Sequence, residues 1–105
     1  MEQGRPPVAE PLTFLAHRAG DDVAVAVRDA EPGEARGAYL DDGATTTIAV
    51  RAPIPLGHKV ALRDIAAGEP VTEYGEPIGL ARVAIAEGDL VHVHNLRSAR
   101  WQHSS

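Results

Sequence analysis

Two histidines stand two residues apart near the end of the chain, within residues 90–95. The valines and leucine around them favour a β-strand, whose side chains alternate between two faces. His92 and His94 are therefore predicted to point the same way, about 7 Å apart along the backbone. Two imidazoles in that arrangement could bind a divalent metal ion or an acidic ligand. A solvated strand face that happens to include two histidines is the alternative.

Two more histidines have neighbours that could take part in chemistry. His58 follows Gly57 and precedes Lys59, the only lysine among ten basic residues. His17 lies shortly before Asp21 and Asp22, and an imidazole with a carboxylate could hold a metal. The alternative for the aspartates is that they cap a turn.

A third group of polar residues lies in turns. Tyr74 and Glu76 flank Gly75, and glycine lets a turn approach another chain closely, which makes these three residues candidates for substrate binding. A purely conformational corner, with Tyr74 covering the core, is the alternative. Asn95 could orient a substrate carboxylate or cap a turn, and the second role is the commoner one.

Composition limits what kind of protein this is. The chain has 105 residues, enough for one domain, and its net charge is -5 with acidic and basic residues interspersed. No basic stripe suits nucleic acid or a membrane surface, and no apolar run could span a bilayer. The absence of cysteine excludes disulfides and thiolate metal sites. We expect a soluble cytoplasmic protein.

The elements that would position these residues are short. Hydrophobic residues make up 44% but aromatics only 4%, and ten glycines and eight prolines interrupt the chain. This composition favours an all-β fold with a core of Val, Ile, Leu and Ala. Strands are predicted at residues 13–16, 23–27, 37–40 and 45–50, with turns at 18–21, 29–33, 41–43 and 74–79. A helical turn could form at residues 62–67.

A weak repeat supports this interpretation. Three segments share an Ile-x-x-Gly-x-x-Val frame, beginning at Ile54, Ile65 and Ile85. Each frame predicts a buried isoleucine, a tight glycine turn and a valine that restarts a strand. Residues 1–11 are predicted to be a flexible arm, residues 12–97 the domain, and residues 98–105 a tail.

Four blocks together identify a family. They are His17-x3-Asp21-Asp22-Val23-Ala24-Val25-Ala26, Gly57-His58-Lys59-Val60-Ala61-Leu62-x-Asp64-Ile65, Tyr74-Gly75-Glu76-Pro77-Ile78-Gly79 and His92-Val93-His94-Asn95. This set resembles the SAF domain of the altronate/galactarate dehydratase family, which also includes sulfolactate sulfo-lyase. The family usually has Asp-Asn where this chain has Asp21-Asp22. The resemblance implies an SAF-type β-clip of short bent strands.

The resemblance also implies a function. Family members carry out β-elimination on a hydroxy acid, associated with a divalent metal, typically Fe2+, and the SAF domain precedes or accompanies a large catalytic part. We therefore expect the small subunit of a hydro-lyase acting on a sugar acid such as altronate, inactive without a large dehydratase subunit. The metal would be shared with that subunit and bound by His17, His92 and His94.

The catalytic candidates follow from the reaction. β-Elimination needs a base for the carbon-bound proton and positive charge for the enolate-like intermediate, which His58 and Lys59 could supply. A turn with a merely solvated lysine is the alternative. Other functions also stay open: a sulfolactate sulfo-lyase small subunit, a non-catalytic module for a carbohydrate or acidic ligand, or a homo-oligomer formed through exposed strand edges.

Overall fold

The computed structural model describes residues 11–92 and 94–98. Within these residues the chain forms strands and no helix, so the predicted all-β fold is confirmed. The strands are β1 (Phe14–Ala16), β2 (Val23–Ala26), β3 (Gly33–Tyr39), β4 (Thr45–Val50), β5 (Lys59–Ala61), β6 (Pro70–Glu73), β7 (Glu76–Ala81), β8 (Leu90–Val91) and β9 (Leu96–Ser98). Apart from Pro11 and Ser98, the predicted arm and tail lie outside the described residues.

The strands form two sheets. One has six strands in the order β4-β3-β1-β2-β5-β8, and the other has three in the order β6-β7-β9. Neighbouring strands are antiparallel except β1 and β3, which run parallel. The hairpin predicted around residues 41–43 is confirmed, because β3 and β4 pair from Gly33 with Val50 to Ala38 with Thr45.

The core consists mainly of aliphatic side chains, as the composition predicts, together with the aromatic ring of Phe14. Phe14 is fully buried on β1 and packs in one cluster with residues of β2, β4 and β5. A second cluster, which contains Val23, Ile65, Val71 and Ile85, lies against β6 to β8. Two small cores, one within the six-stranded sheet and one with residues of both sheets, are what a chain with few aromatics can fill.

The three repeated frames fold alike. Their isoleucines and valines are all at most 3% exposed, and the glycines have φ of 88°, 86° and 88°. In each turn the residue after glycine donates its N–H to the carbonyl three residues earlier, at 3.0 Å. A positive φ at the third turn position strongly favours glycine, so the predicted role of these glycines is confirmed.

Two local predictions are wrong. No helical turn forms at residues 62–67, because Ile65 pairs as a β-bridge with Ile85 and long-range pairing replaces local helical bonds. Residues 76–79 are not part of a turn but begin β7, since only Tyr74 and Gly75 are needed to reverse the chain. Among the described residues, no helix is long and apolar enough to cross a membrane.

Candidate active site

A strained hairpin forms the centre of the site. Tyr74 and Gly75 join β6 to β7 and have φ of 61° and 75°, and the flanking residues Glu73 and Glu76 pair across the strands. Two positive φ values are what a two-residue type I′ turn requires, and a tyrosine in this conformation is uncommon. Such strain persists only where the surroundings fix it, and it is found preferentially at functional sites.

A buried carboxylate fixes this turn. Asp21, 5% exposed, accepts hydrogen bonds from the N–H groups of Tyr74 at 2.9 Å, Gly75 at 3.0 Å and Arg18 at 3.3 Å. The turn-capping interpretation of this aspartate is therefore confirmed. The capped turn belongs to a strand pair more than fifty residues further along the chain.

Asp21→Asn is expected to lower the free energy of unfolding by about 2 kcal/mol, because an amide offers one acceptor oxygen instead of two and at least one of the part-buried N–H groups loses its acceptor. Urea denaturation would measure the loss. Asp41→Asn is the matched comparison, since Asp41 is an exposed carboxylate that accepts from the N–H of Ala19 at 3.2 Å. That change should stay within about 0.5 kcal/mol. Equal losses would contradict the role given to Asp21.

Four side chains meet beside the hairpin, and we call them the Glu73 cluster: His17, Lys59, Glu73 and Tyr74. The rings of His17 and Tyr74 stack with centroids 3.6 Å apart at an angle of 15°. The two oxygens of Glu73 face different partners, His17 Nε2 at 3.5 Å and Lys59 Nζ at 3.9 Å. Glu73 is 8% exposed, whereas His17 and Lys59 are 23% and 34% exposed. The carboxylate is thus buried behind two basic groups that solvent can reach.

A further cation borders the turn. A Cβ on Gly75 would lie 2.8 Å from Nη1 of Arg18, so the guanidinium rests against the glycine. The exposed rim around the Glu73 cluster therefore combines an ammonium, a guanidinium and an imidazole. Groups of this kind can hold an acidic ligand and move protons.

Sequence reasoning missed Glu73, although the pattern of β6 could have revealed it. Val71 and Glu73 are both buried on this strand, whereas Pro70 is exposed and Thr72 half-buried. A carboxylate in alternation with a core valine, next to a glycine turn, is the signal that was available.

A second buried aspartate also supports β6. Asp22 accepts hydrogen bonds from the N–H of Thr72 at 2.8 Å and from Nε of Arg63 at 2.7 Å. The hydrogen bond between Asp22 and Arg63 raises the pKa of Arg63, although burial of the guanidinium partly opposes this increase. The extra charge at the position where the family usually has asparagine is therefore paired.

Glu69 continues this network. Its carboxylate accepts from the N–H of Ala66 at 2.7 Å and from Arg63 Nη1 at 3.3 Å, and these bonds lower the pKa of Glu69 in that order. A carboxyl whose pKa is lower in the folded state stabilises the protein above its unfolded pKa. That contribution is lost as pH falls through the folded value.

Glu69→Gln is expected to cause a modest loss of stability near pH 7 that becomes smaller towards about pH 3, because the wild-type carboxylate takes up a proton progressively as the pH falls. Urea midpoints of both proteins at the two pH values would measure this. Glu31→Gln, at an exposed position outside the strands, is the matched comparison. If the difference in stability between Glu69→Gln and the wild type stays constant across this pH range, the lowered pKa given to Glu69 is contradicted.

The predicted strand through His92 and His94 is wrong, because β8 ends at Val91. Asn95 causes the end: its Oδ1 accepts from the N–H of His92 at 2.9 Å, and its own N–H donates to the His92 carbonyl at 3.0 Å. His92 and His94 thus lie in a bend and a turn, both exposed, while Val93 is outside the described residues. Asn95 Nδ2 also donates to Leu90 O at 2.8 Å, so this residue caps the turn.

The other candidates are distributed between two places. His58 and Lys59 are consecutive but contact different groups: Lys59 faces Glu73, whereas the ring of His58 lies 5.2 Å from that of His92. Glu76 is exposed at the start of β7. The structure brings His17, Lys59 and Tyr74 together, and separately His58 and His92. The substrate and metal roles of all these residues stay predictions.

Known proteins match most of the chain. Residues 12–99 match the altronate/galactarate dehydratase SAF domain. The (2R)-sulfolactate sulfo-lyase subunit alpha of Chromohalobacter salexigens is 39% identical over 92 residues, which is 86% of this chain and 98% of that subunit.

Longer relatives match through one part only. The altronate dehydratase of Escherichia coli strain K12 is 41% identical over 83% of this chain, and that of Bacillus subtilis strain 168 is 36% identical over 82%. The chain spans about one sixth of the length of these dehydratases, 17% and 16%. With its matched family domain and its all-β fold, the chain belongs to the altronate/galactarate dehydratase SAF domain family.

Proposed function

We propose that this chain is the small subunit of a lyase that eliminates water from a sugar acid such as altronate, together with a large dehydratase subunit. The observation that supports this most directly is the Glu73 cluster, in which a buried carboxylate holds an imidazole and an ammonium at an exposed rim. A relative aligned over nearly its whole length is itself named a subunit, which supports the two-subunit arrangement.

The reaction removes a proton from the carbon next to the substrate carboxylate and a leaving group from the neighbouring carbon. Negative charge then develops on the carboxylate, and the Lys59 ammonium beside it would stabilise that charge. His17, with Nε2 next to Glu73, would take up or return a proton through its other nitrogen. Glu73 would fix both groups in position, and Tyr74 would hold the plane of the His17 ring by stacking.

Elimination of sulfite from sulfolactate is the second candidate. It is favoured by one observation, the alignment that covers 98% of the sulfo-lyase subunit alpha. Both reactions begin with removal of a proton next to a carboxylate, so the Glu73 cluster would serve either. The leaving group would then be distinguished mainly by residues of the large subunit.

The divalent iron belongs to the same proposal. Among the described residues, no three or more histidines, aspartates and glutamates are grouped so that they could hold a metal ion. Catalytic metal sites commonly use three protein ligands. The described residues thus do not by themselves make a complete iron site, and the remaining ligands would come from the large subunit.

Reconstitution tests the function. The chain would be co-expressed with a large dehydratase subunit from the same source, purified as a complex, and assayed with altronate and with sulfolactate under iron. We expect turnover of one acid by the complex and none by either chain alone. Turnover by the isolated chain would contradict the proposal. An isolated chain that binds these acids but never activates a large subunit would favour the non-catalytic binding module.

A further inference from the structure

His58 and His92 contact each other across the ends of two strands. Lys59 pairs with Val91 in the ladder of β5 and β8, and the two histidines are the next residues beyond this pair. Their ring centroids are 5.2 Å apart and their planes are inclined by 52°. Residues directly opposite each other in an antiparallel pair lie on the same side of the sheet, which explains why these two rings meet.

This separation suits a shared metal ion. Imidazole nitrogens bind Zn2+ at about 2.0–2.1 Å, so two histidines on one tetrahedral ion have ring centres about 5 Å apart. The observed separation is close to that value before any side chain moves. His92 is exposed, so its ring can turn towards an ion with little cost in packing.

A second observation points to a ligand at the same place. Nδ1 of His58 is buried and has no hydrogen-bond partner among the described residues. Buried polar atoms are nearly always paired, and an unpaired one calls for a specific explanation such as a bound ion or ligand. The backbone of His58 is by contrast fully paired, with Pro55 and Ala26.

We propose that His58 and His92 form a two-histidine site for a divalent transition-metal ion such as Zn2+ or Ni2+. With only two protein ligands, the ion keeps open positions for water or for a group from another chain. Among the described residues the site has imidazole donors and no ion pair with a carboxylate, so it should prefer these ions to Mg2+ or Ca2+, which require oxygen ligands. This proposal gives His58 and His92 a role other than the catalytic and iron-binding ones expected from the family resemblance, and it needs neither the Glu73 cluster nor a large subunit.

Isothermal titration of the untagged, purified chain with Zn2+, Ni2+ and Mg2+ tests the site. We expect one Zn2+ or Ni2+ per chain and no binding of Mg2+. His92→Ala and His58→Gln should each weaken Zn2+ binding by more than about tenfold, since even the loss of a group that only supports a ligand costs 10- to 100-fold. His17→Ala, which removes an imidazole from the Glu73 cluster, should bind Zn2+ as the wild type does.

Thermal melting without metal shows whether each variant folds. If His58→Gln does not fold, His92→Ala decides alone, because the His92 side chain is exposed and its removal should leave the fold intact. A wild-type chain that binds no Zn2+, a His92→Ala variant that binds it unchanged, or a His17→Ala variant that loses it would each overturn the proposal. These outcomes are read from metal binding by the isolated chain, so they are distinguishable from failure of the reconstituted lyase.

Discussion

Lys59→Gln is expected to lower kcat/KM of the reconstituted two-subunit lyase by about 10²- to 10³-fold, the usual cost of removing one preorganised group that stabilises developing negative charge. Lys59 is suited to this role because its ammonium lies 3.9 Å from Glu73, beyond direct hydrogen-bond distance, and its side chain is 34% exposed. Its N–H groups therefore stay available to a substrate. Glutamine keeps a polar chain at the same place but removes the charge.

Steady-state kinetics would separate two roles for Lys59. A fall in kcat shows that the ammonium stabilises the transition state, whereas a rise in KM at constant kcat shows uniform binding of the substrate carboxylate. Arg51→Gln is the matched comparison, since Arg51 pairs with Asp89 at 3.3 Å on an exposed surface and should leave both constants unchanged. A Lys59→Gln enzyme within about twofold of the wild type would show that the Glu73 cluster does not take part in the reaction.

The turns could be predicted from sequence because their causes are local. In the frame that begins at Ile54, the isoleucine is buried, the glycine reverses the chain, and the valine begins its return into a strand. All three residues lie within seven positions, so the turn is determined locally. The same three residue types produce the same hydrogen bond in all three frames. The resemblance to a known SAF domain added the family, which the comparisons with known proteins confirm.

The Glu73 cluster could not be predicted in the same way, because its members come from distant parts of the chain. His17 follows β1, Lys59 begins β5 and Glu73 ends β6, and only the pairing of the strands brings them together. Proximity in sequence was misleading at His58 and Lys59, since neighbouring residues at a strand start point to opposite faces. The strand predicted through His92 was wrong because the hydrogen bonds of Asn95 turn the chain there.

Asp22 shows how one departure from the family pattern is accommodated. A second carboxylate beside Asp21 adds charge in a buried place, which is costly unless the charge is paired and hydrogen-bonded. Arg63, 41 residues away, supplies the pairing through Nε. An aspartate in place of asparagine thus depends on a residue that no motif around Asp22 includes.

Gly88→Ala is expected to lower the free energy of unfolding by about 3–5 kcal/mol, a large part of the 5–15 kcal/mol that stabilises a typical domain. Gly88 has φ of 88°, where an alanine costs about 1–2 kcal/mol. A Cβ there would also overlap the carbonyl oxygen of Ala49 at the end of β4. Gly88 O accepts from Arg51 N–H at 3.0 Å, so the turn cannot move away without breaking a backbone hydrogen bond.

The repeat itself provides the comparison for this effect. Gly57 and Gly68 occupy the equivalent positions of the other two repeat turns, with φ of 88° and 86°. A Cβ on either glycine would meet no atom within 4 Å. Gly57→Ala and Gly68→Ala should therefore cost only the conformational part, about 1–2 kcal/mol. Urea denaturation of the three variants separates the cost of the backbone conformation from the cost of crowding. Three equal losses would mean that the turn at Gly88 is not packed against β4, and that the six-stranded sheet is held at this end by other contacts.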